Sequence, residues 1–404
     1  MHVVVLASRH RGPVDRLLAR GHEVSVIAYQ GAAHLYEDLP TQTVQGLGSI
    51  DEVLAVARAA GAETADAVVP LGELSVLAAA TLRDYFDIGD PDRRIGTAIA
   101  ARFIDKARMK DDLAAAGIPV ANHASGTATE VGELCRDVGF PVVVKPAIGS
   151  GSRHTVSLVD DRELRAGLAD EDGVPRVGDI IVESFVEMRA ELHCDFQVAD
   201  SAVVFAATSR YMAPLLGSNG ANGSVVLGPG HRHDTGVALA QRVVDALELT
   251  DGVCHLEFFD TVEGPVVGEV AARPAGGGIV EAVALGTGVD LWERYLDSCL
   301  GPTVTPDPRR GTAVPTNRRL PDGVAAWCGL PARNGRVVSM TDSAALLALP
   351  YVHAVHMEME VGDTVQRPAG STSWAGIVVY EAPTEVAAVA TAGDLWSMFS
   401  LSVA

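Results

Sequence analysis

The spacing of apolar residues changes along the chain, and the change divides it into parts. Up to about residue 95, short apolar runs at residues 3–7, 24–28 and 67–70 have the length of buried strands. Helical periodicity fills the stretches between them, as at residues 13–21, which begin at a proline and end at a glycine. Strands that alternate with helices predict a parallel sheet in a Rossmann-like α/β domain.

A second unit begins after a helical stretch at residues 95–116, which Gly117 and Pro119 terminate. From there the apolar runs are closely spaced and several alternate with polar residues, which predicts an α+β module followed by an antiparallel sheet. Residues 209–230 are rich in glycine, asparagine and serine and have no periodicity. They therefore predict a long loop, of a kind that often carries function.

These changes of pattern predict a multidomain protein of mixed α/β and α+β class. We place the first domain at residues 1–95, the second at residues 96–302 and a strand-rich third at residues 303–404. A run of proline, threonine and arginine after Gly301 predicts a linker between the last two. The loop after the first strand has no GxGxxG turn, so a dinucleotide fingerprint is not indicated.

Composition narrows the class of partner. The chain has 404 residues, is 48% hydrophobic and carries a formal net charge of -21. A nucleic acid or an anionic membrane surface requires local positive charge, so small molecules are the expected ligands. No leader peptide or membrane span is predicted, and the five cysteines are irregularly spaced. These features predict a cytoplasmic protein with reduced thiols.

Two glutamates face each other in a predicted β-hairpin. Apolar runs flank a turn at Glu263 and Gly264, and a hairpin symmetric about Glu263 pairs Glu257 with Glu269. Two carboxylates opposite each other on one face repel unless a cation lies between them. Because Mg²⁺ prefers such hard oxygen ligands, the pair predicts a magnesium site. The alternative is that one glutamate points to solvent at the sheet edge.

An arginine and a glycine run follow the acid pair. Alternation keeps Arg273 on the same face, and Gly276 and Gly277 come shortly after it. An arginine beside two acids could form a plain ion pair. Its planar fork of donors also suits a carboxylate, a phosphoryl group or a developing oxyanion, and bare glycine backbone admits a close ligand. We favour the second interpretation.

Lysine is rare in this chain, since only Lys106, Lys110 and Lys145 occur among 31 basic residues. Lys145 ends an apolar strand, where a compact ammonium suits a phosphate site. Lys106 lies near the start of a helix, and we predict that Lys110 in the same helix is a solvated surface residue. The loop after Lys145 offers small residues whose backbone and hydroxyl groups suit phosphates. They are Gly149, Ser150, Gly151 and Ser152.

Two further glutamates flank a short link between predicted strands. Glu183 ends one strand, and Glu191 starts the next. A link between lobes exposes backbone N–H and C=O groups that can bind the edge of an adenine, and a following acid can hold ribose hydroxyls. Each glutamate alone is more often a solvated turn residue. Their position in chain order, between the phosphate loop and the acid pair, favours a nucleotide site.

As a set, these motifs resemble the ATP-grasp carboxylate–amine ligases, and are most like those of the bacterial L-amino-acid (dipeptide) ligases. The resemblance covers nearly the whole chain. It implies an ATP-grasp fold, in which a pre-ATP-grasp domain precedes the ATP-grasp domain and a strand-rich C-terminal domain follows. The lid of the ATP-grasp domain would lie at about residues 120–184.

The resemblance also implies a nucleotide site. Lys106 and Lys145 would bind the phosphates of ATP, and residues 149–152 would form the lid loop. The adenine and ribose would be bound at the link between the two strands, by Glu183, Val186 and Glu191.

The same resemblance assigns the acid pair. Glu257 and Glu269 would bind Mg²⁺, two ions in all, for which Mn²⁺ could substitute. Arg273 would steady the acyl phosphate and the tetrahedral intermediate, next to the glycines that admit the substrate. Many members have asparagine where this chain has Ala271, so the second ion would have fewer protein ligands.

The reaction implied is transfer of phosphate from ATP to a carboxylate, followed by attack of an amine that releases phosphate. Two alternatives stay open. A carboxylase or purine-type ligase on the same scaffold would use bicarbonate or a nucleotide amine, and a regulatory protein would bind ATP without turnover. Related scaffolds are commonly dimeric, so a homodimer is a further expectation.

Overall fold

The computed structural model describes residues 1–91, 93–149, 151, 154–169, 174–175, 177–218, 221–301, 320, 323–366 and 374–404. The predicted linker after Gly301 and the predicted phosphate-loop residues Ser150 and Ser152 lie outside these ranges. Within the described ranges the strands form four sheets.

The first sheet is parallel, as the alternation of strands and helices predicts. Its elements are β1 (His2–Ala7), α1 (Gly12–Ala19), β2 (Glu23–Tyr29), β3 (Thr41–Val44), α2 (Ile50–Ala57), β4 (Ala67–Pro70) and α3 (Val76–Phe86). The strand order is β3-β2-β1-β4. Alternate residues of β1 enter two separate cores, Val3 and Val5 in one and Val4 and Leu6 in the other. Both faces of the strand are thus covered, which explains its unbroken apolar run.

A small antiparallel sheet with the order β5-β8-β6-β7 follows. This part contains α4 (Thr97–Ile104), α5 (Lys106–Ala115), β5 (His123–Thr127), α6 (Val131–Val138), β6 (Val142–Pro146), β7 (Val156–Leu158), α7 (Asp161–Ala169) and β8 (Asp179–Ser184). The helical stretch predicted at residues 95–116 is divided into two helices. Asp105 has extended backbone there, and its carboxylate accepts the N–H groups of Ala107 and Arg108 as the cap of α5.

A large antiparallel sheet carries the remaining chemistry. Its first half is built from β9 (Ala190–Ala199), β10 (Ala202–Tyr211), β11 (Gly223–Val226), α8 (His231–Leu247), β12 (Gly252–Asp260), β13 (Pro265–Ala271), α9 (Ile279–Thr287) and α10 (Leu291–Leu300). The C-terminal part adds β14 (Val324–Pro331), β15 (Gly335–Met340), α11 (Ser343–Leu347), β16 (Val352–Met357), β17 (Thr364–Val365), β18 (Trp374–Ala382), α12 (Glu385–Met398) and β19 (Leu401–Val403). The order is β13-β12-β9-β10-β11-β14-β18-β16, while β17-β15-β19 form a separate sheet.

The prediction of one long loop at residues 209–230 is wrong. Strand β10 continues to Tyr211, and β11 lies inside the stretch and pairs with β14. Gly223 permits this pairing because a Cβ there would lie 2.1 Å from the carbonyl oxygen of Trp327. The position of β11 therefore depends on close backbone contact with β14, a strand far away in the sequence. Such a contact requires no apolar periodicity in β11 itself, so the sequence shows none.

Candidate active site

One face of the large sheet is polar where β9, β12 and β13 lie side by side. Along β9, Glu191, His193 and Asp195 alternate with apolar residues that pack in the core under α8. His255 and Glu257 of β12 lie opposite, paired with Asp195 and His193 respectively. The polar face therefore brings together residues that lie two apart along each strand.

Glu257 pairs with Glu269 across β12 and β13, which confirms the pairing expected from the sequence. The register of the hairpin, however, is not symmetric about Glu263. Near the turn the register is offset by one residue, with Phe258 opposite Val267, and a bulge at Gly268 restores it. A Cβ at Gly268 would lie 3.3 Å from the carbonyl oxygen of Glu257, so the bulge uses the absence of a side chain.

The two carboxylates of the pair have different neighbours. Glu269 Oε1 lies 3.0 Å from Lys106 Nζ, which also donates to the carbonyl oxygen of Gly149 at 2.7 Å. Lys106 thus joins the acid pair to the loop after β6.

Glu257 lies within hydrogen-bonding distance of a hydroxyl group and an imidazole ring. Its Oε1 accepts a hydrogen bond from the Tyr211 hydroxyl at 2.9 Å, and His255 Nε2 lies 3.3 Å away. Burial opposes ionisation of Glu257, but the hydrogen bond and positive charge of His255, followed by the hydrogen bond from Tyr211, outweigh it and lower the pKa to about 2. Glu257 is therefore a carboxylate at neutral pH.

The other two lysines meet at Glu183. Lys145 Nζ lies 2.8 Å from one carboxylate oxygen of Glu183, and Lys110 Nζ lies 3.4 Å from the other. Burial opposes ionisation of Glu183, but Lys110 and Lys145 lower its pKa overall. The Glu183 side chain thus contacts one of the two predicted phosphate lysines, Lys145, together with Lys110. Val186 is half-buried and lies in the link between β8 and β9.

The prediction that Lys110 is solvated is wrong. Its side chain is 1% exposed, and its ammonium lies 3.4 Å from the carbonyl oxygen of Val267 as well as from Glu183. Lys106 and Lys110 are one helical turn apart, so one face of α5 turns both inward. The sequence did contain a signal for an unusual role of Lys110, because lysine is rare in this chain. That signal applied equally to all three lysines.

Glu191 faces a backbone donor. Its Oε2 accepts the N–H of Leu215 at 2.7 Å. Burial, followed by the nearby charge of Glu257, raises the pKa of Glu191 to about 8. The segment between β10 and β11 is thereby attached to the start of β9.

Arg273 forms an ion pair with an acid from the first sheet. Its Nη2 lies 2.5 Å from Glu73 Oε2, and Glu73 belongs to a 3-10 helix, Glu73–Ser75, that follows β4. The sequence analysis missed Glu73. The available signal was an acid just past the carboxyl end of a buried parallel strand, where sites in such sheets commonly lie.

The glycine turn after Arg273 lies against an indole ring. A Cβ at Gly277 would approach the ring of Trp327 to 2.8 Å, and the φ of +65° at this residue also favours glycine. Gly276 faces open space. One side of the turn is thus packed and the other is accessible.

Comparison with known proteins decides the family. Residues 329–404 match the family described as L-amino acid ligase C-terminal domain 2. The chain is 31% identical over 320 residues to the L-arginine-specific L-amino acid ligase of Bacillus subtilis, a match that covers 76% of this chain and 73% of that protein. The chain belongs to the L-amino acid ligases of the ATP-grasp group. This confirms the resemblance, and the enzyme is an ATP-dependent, ADP-forming ligase that joins a carboxylate to an amine.

Solved structures agree in fold. The ligase superposes on the L-amino acid ligase of Bacillus licheniformis with a TM-score of 0.78 and 16% identity, covering 100% of this chain and 98% of that one. It also superposes on the carboxyaminoimidazole ribonucleotide synthase of Aspergillus clavatus complexed with ATP, with a TM-score of 0.72 and 16% identity, covering 98% of each chain. None of the helices in the described ranges has the length and apolar composition that a bilayer crossing needs.

The Arg273–Glu73 pair of the ligase leads to a stability prediction. Glu73→Gln removes one charge of a buried pair, so we expect the free energy of unfolding to fall by about 3 kcal/mol. Urea denaturation measures the change. Glu63→Gln is the matched control, because Glu63 pairs with Arg58 on the exposed surface and its loss should leave the urea midpoint unchanged. Equal midpoints for Glu73→Gln and wild type would contradict the importance of the pair.

Proposed function

We propose that the ligase condenses two amino acids with Mg²⁺-bound ATP, activating the carboxylate of one and joining it to the amino group of the other. The observation that carries the proposal is the opposed pair Glu257 and Glu269, with the Lys106 ammonium 3.0 Å from Glu269 and Lys145 paired with Glu183. The amino-acid class of the substrates is supported by the similarity to L-amino acid ligases, one of which is specific for L-arginine.

The donor set fits magnesium. Glu257 and Glu269 offer hard oxygen ligands from adjacent strands, and Glu257 is ionised at neutral pH. When bound, Mg²⁺ would neutralise charge on the phosphates. Ala271, opposite His255, offers no side-chain oxygen, so a second ion would have fewer protein ligands.

The lysines fit the phosphates of ATP. Lys106 and Lys145 would hold phosphate oxygens, and each is now paired with a carboxylate, which fixes its ammonium before the nucleotide arrives. The loop at residues 149–152 would cover the phosphates. The link around Val186 would hold adenine, with Glu183 supporting the hinge and Glu191 on the ribose.

Arg273 would bind the reacting carboxylate and steady the developing oxyanion, beside the open side of the turn at Gly276 and Gly277. Charge stabilisation and exclusion of water would suffice, because an acyl phosphate needs no protein nucleophile. A homodimer and a cytoplasmic location stay predictions.

Incubation of the protein with ATP, MgCl₂ and pooled L-amino acids, arginine included, tests the function. We expect ADP and phosphate in equal amounts, together with products whose mass is the sum of two amino acids less one water. AMP and pyrophosphate would contradict the mechanism. Release of ADP that depends on bicarbonate would favour a carboxylase, and binding of ATP without phosphate release would favour a regulatory protein.

A further inference from the structure

A buried chain of polar side chains leads from Glu257 into the protein. It runs, in order, through His255, Asp195, His193 and Ser224 to Trp327. Its two central members, Asp195 and His193, are fully buried. Neither is part of the nucleotide site proposed above.

Trp327 and Ser224 form the far end of this chain of side chains. Trp327 Nε1 can only donate, and it lies 2.8 Å from Ser224 Oγ. Ser224 Oγ also lies 2.9 Å from His193 Nε2, and a hydroxyl can either donate to a ring nitrogen or accept from it. In either case the contact holds the His193 ring from the far end.

Asp195 connects the two histidines. His193 Nδ1 lies 2.6 Å from Oδ2 of Asp195, and His255 Nδ1 lies 2.8 Å from Oδ1. A carboxylate can only accept, so both rings donate to it. One carboxylate thus sets the orientation of both imidazoles, each with its Nδ1 turned toward Asp195.

The near half of this chain of side chains ends on Glu257, the candidate metal ligand. With Nδ1 committed to Asp195, the Nε2 of His255 faces Glu257 Oε1 at 3.3 Å. The Tyr211 hydroxyl donates to the same oxygen from β10 at 2.9 Å. Oε1 is held from two strands, and the carboxylate is restricted to a narrow range of orientations.

The same residues have the composition of a separate metal site. One potential ligand atom from each of His193, Asp195 and His255 lies within 4.8 Å of the others. Two ring nitrogens and both oxygens of Asp195 already pair with each other, at 2.6 and 2.8 Å. A cation there would have to break these bonds, so the geometry favours a hydrogen-bonded chain.

We propose that Asp195, acting through His255 and anchored by His193 and Ser224, positions the Glu257 carboxylate for the divalent metal of the nucleotide. This inference rests on the proposed function, since it concerns the same metal. Asp195 is a positioning residue, because it reaches Glu257 only through His255. Loss of an outer partner of a metal ligand typically weakens metal binding about 10- to 100-fold.

Asp195→Asn tests the proposal with little change in volume. An amide presents one oxygen and one donor, so one of the two rings loses its acceptor. The affinity for Mn²⁺ in the presence of ADP, measured by electron paramagnetic resonance without turnover, should fall about 10- to 100-fold. Asp251→Asn is the matched control: Asp251 is also buried and precedes β12, but it pairs with Arg93 at 3.0 Å, and its loss should leave Mn²⁺ affinity unchanged.

Ser224→Ala supplies an independent variant, because it removes the hydrogen-bonded link between Trp327 and His193 but keeps Asp195. We expect weaker Mn²⁺ binding than in wild type, by a smaller factor than in Asp195→Asn. Wild-type affinity in a folded Asp195→Asn protein would overturn the proposal. If that variant does not fold, unchanged affinity in Ser224→Ala would overturn it instead. Failure of the wild type itself to bind Mn²⁺ with ADP would count against the proposed function, which separates the two results.

Discussion

Glu269→Gln is expected to lower kcat/KM at limiting Mg²⁺ by at least ~100-fold, because a metal ligand contributes several kcal/mol of charge stabilisation to phosphoryl transfer. The change keeps the shape of the side chain and its place opposite Glu257. It removes the charge that would hold the ion. Steady-state ADP release over a series of Mg²⁺ concentrations measures the effect, and excess Mg²⁺ should restore part of the activity.

Glu263→Gln provides the matched control for this substitution. Glu263 lies in the turn of the same hairpin, and its side chain is exposed. The same chemical change at that position should leave the Mg²⁺ dependence as in wild type. Unchanged turnover of Glu269→Gln at limiting Mg²⁺ would show that the metal assignment is wrong. A parallel urea titration separates loss of metal from loss of the ion pair with Lys106.

Lys145→Met is expected to raise KM for ATP about 10- to 100-fold, since a hydrogen bond to a charged group contributes about 1.5–3 kcal/mol. Lys145 is 13% exposed at its side chain, whereas Lys110, on the other oxygen of Glu183, is 1% exposed. Lys110→Met is therefore the informative comparison. It should lower the free energy of unfolding by about 3 kcal/mol and change KM for ATP much less than Lys145→Met does.

Kinetics with ATP and urea denaturation of both variants distinguish the two roles. Burial lowers the pKa of Lys110 although Glu183 opposes this shift, while Glu183 and Glu269 outweigh burial and raise the pKa of Lys145. The positive charge on Lys145 is thus better stabilised than the positive charge on Lys110. An equal rise of KM for ATP in both variants would contradict the distinction, and so would unchanged stability of Lys110→Met.

Local patterns in the sequence were sufficient for much of the site. Period-two alternation places His255 and Glu257 on one face of β12, and the turn at Gly264 brings β12 and β13 together. The predicted pairing of Glu257 with Glu269 is correct because the bulge at Gly268 compensates for an offset nearer the turn. That compensation depends on backbone geometry, which a count of residues does not contain.

The alternation of polar and apolar residues in β9 is also visible in the sequence, but the sequence does not show which groups the polar residues contact. Glu191, His193 and Asp195 lie on one face because side chains in a strand alternate. Their partners come from other strands: Leu215 for Glu191, Ser224 for His193 and His255 for Asp195. Alternation indicates which residues share a face, but strand order decides what lies opposite.

The sequence by itself determined the parallel first sheet, the facing acid pair and the family, because each rests on short-range periodicity or on the order of motifs. Only the tertiary structure decided that Lys110 is buried, that Glu73 pairs with Arg273, and that β11 is a strand. These features join residues far apart in the chain. Their free energy comes from packing and charge pairing between elements, so a local pattern can single out a residue such as Glu73 but does not show its partner.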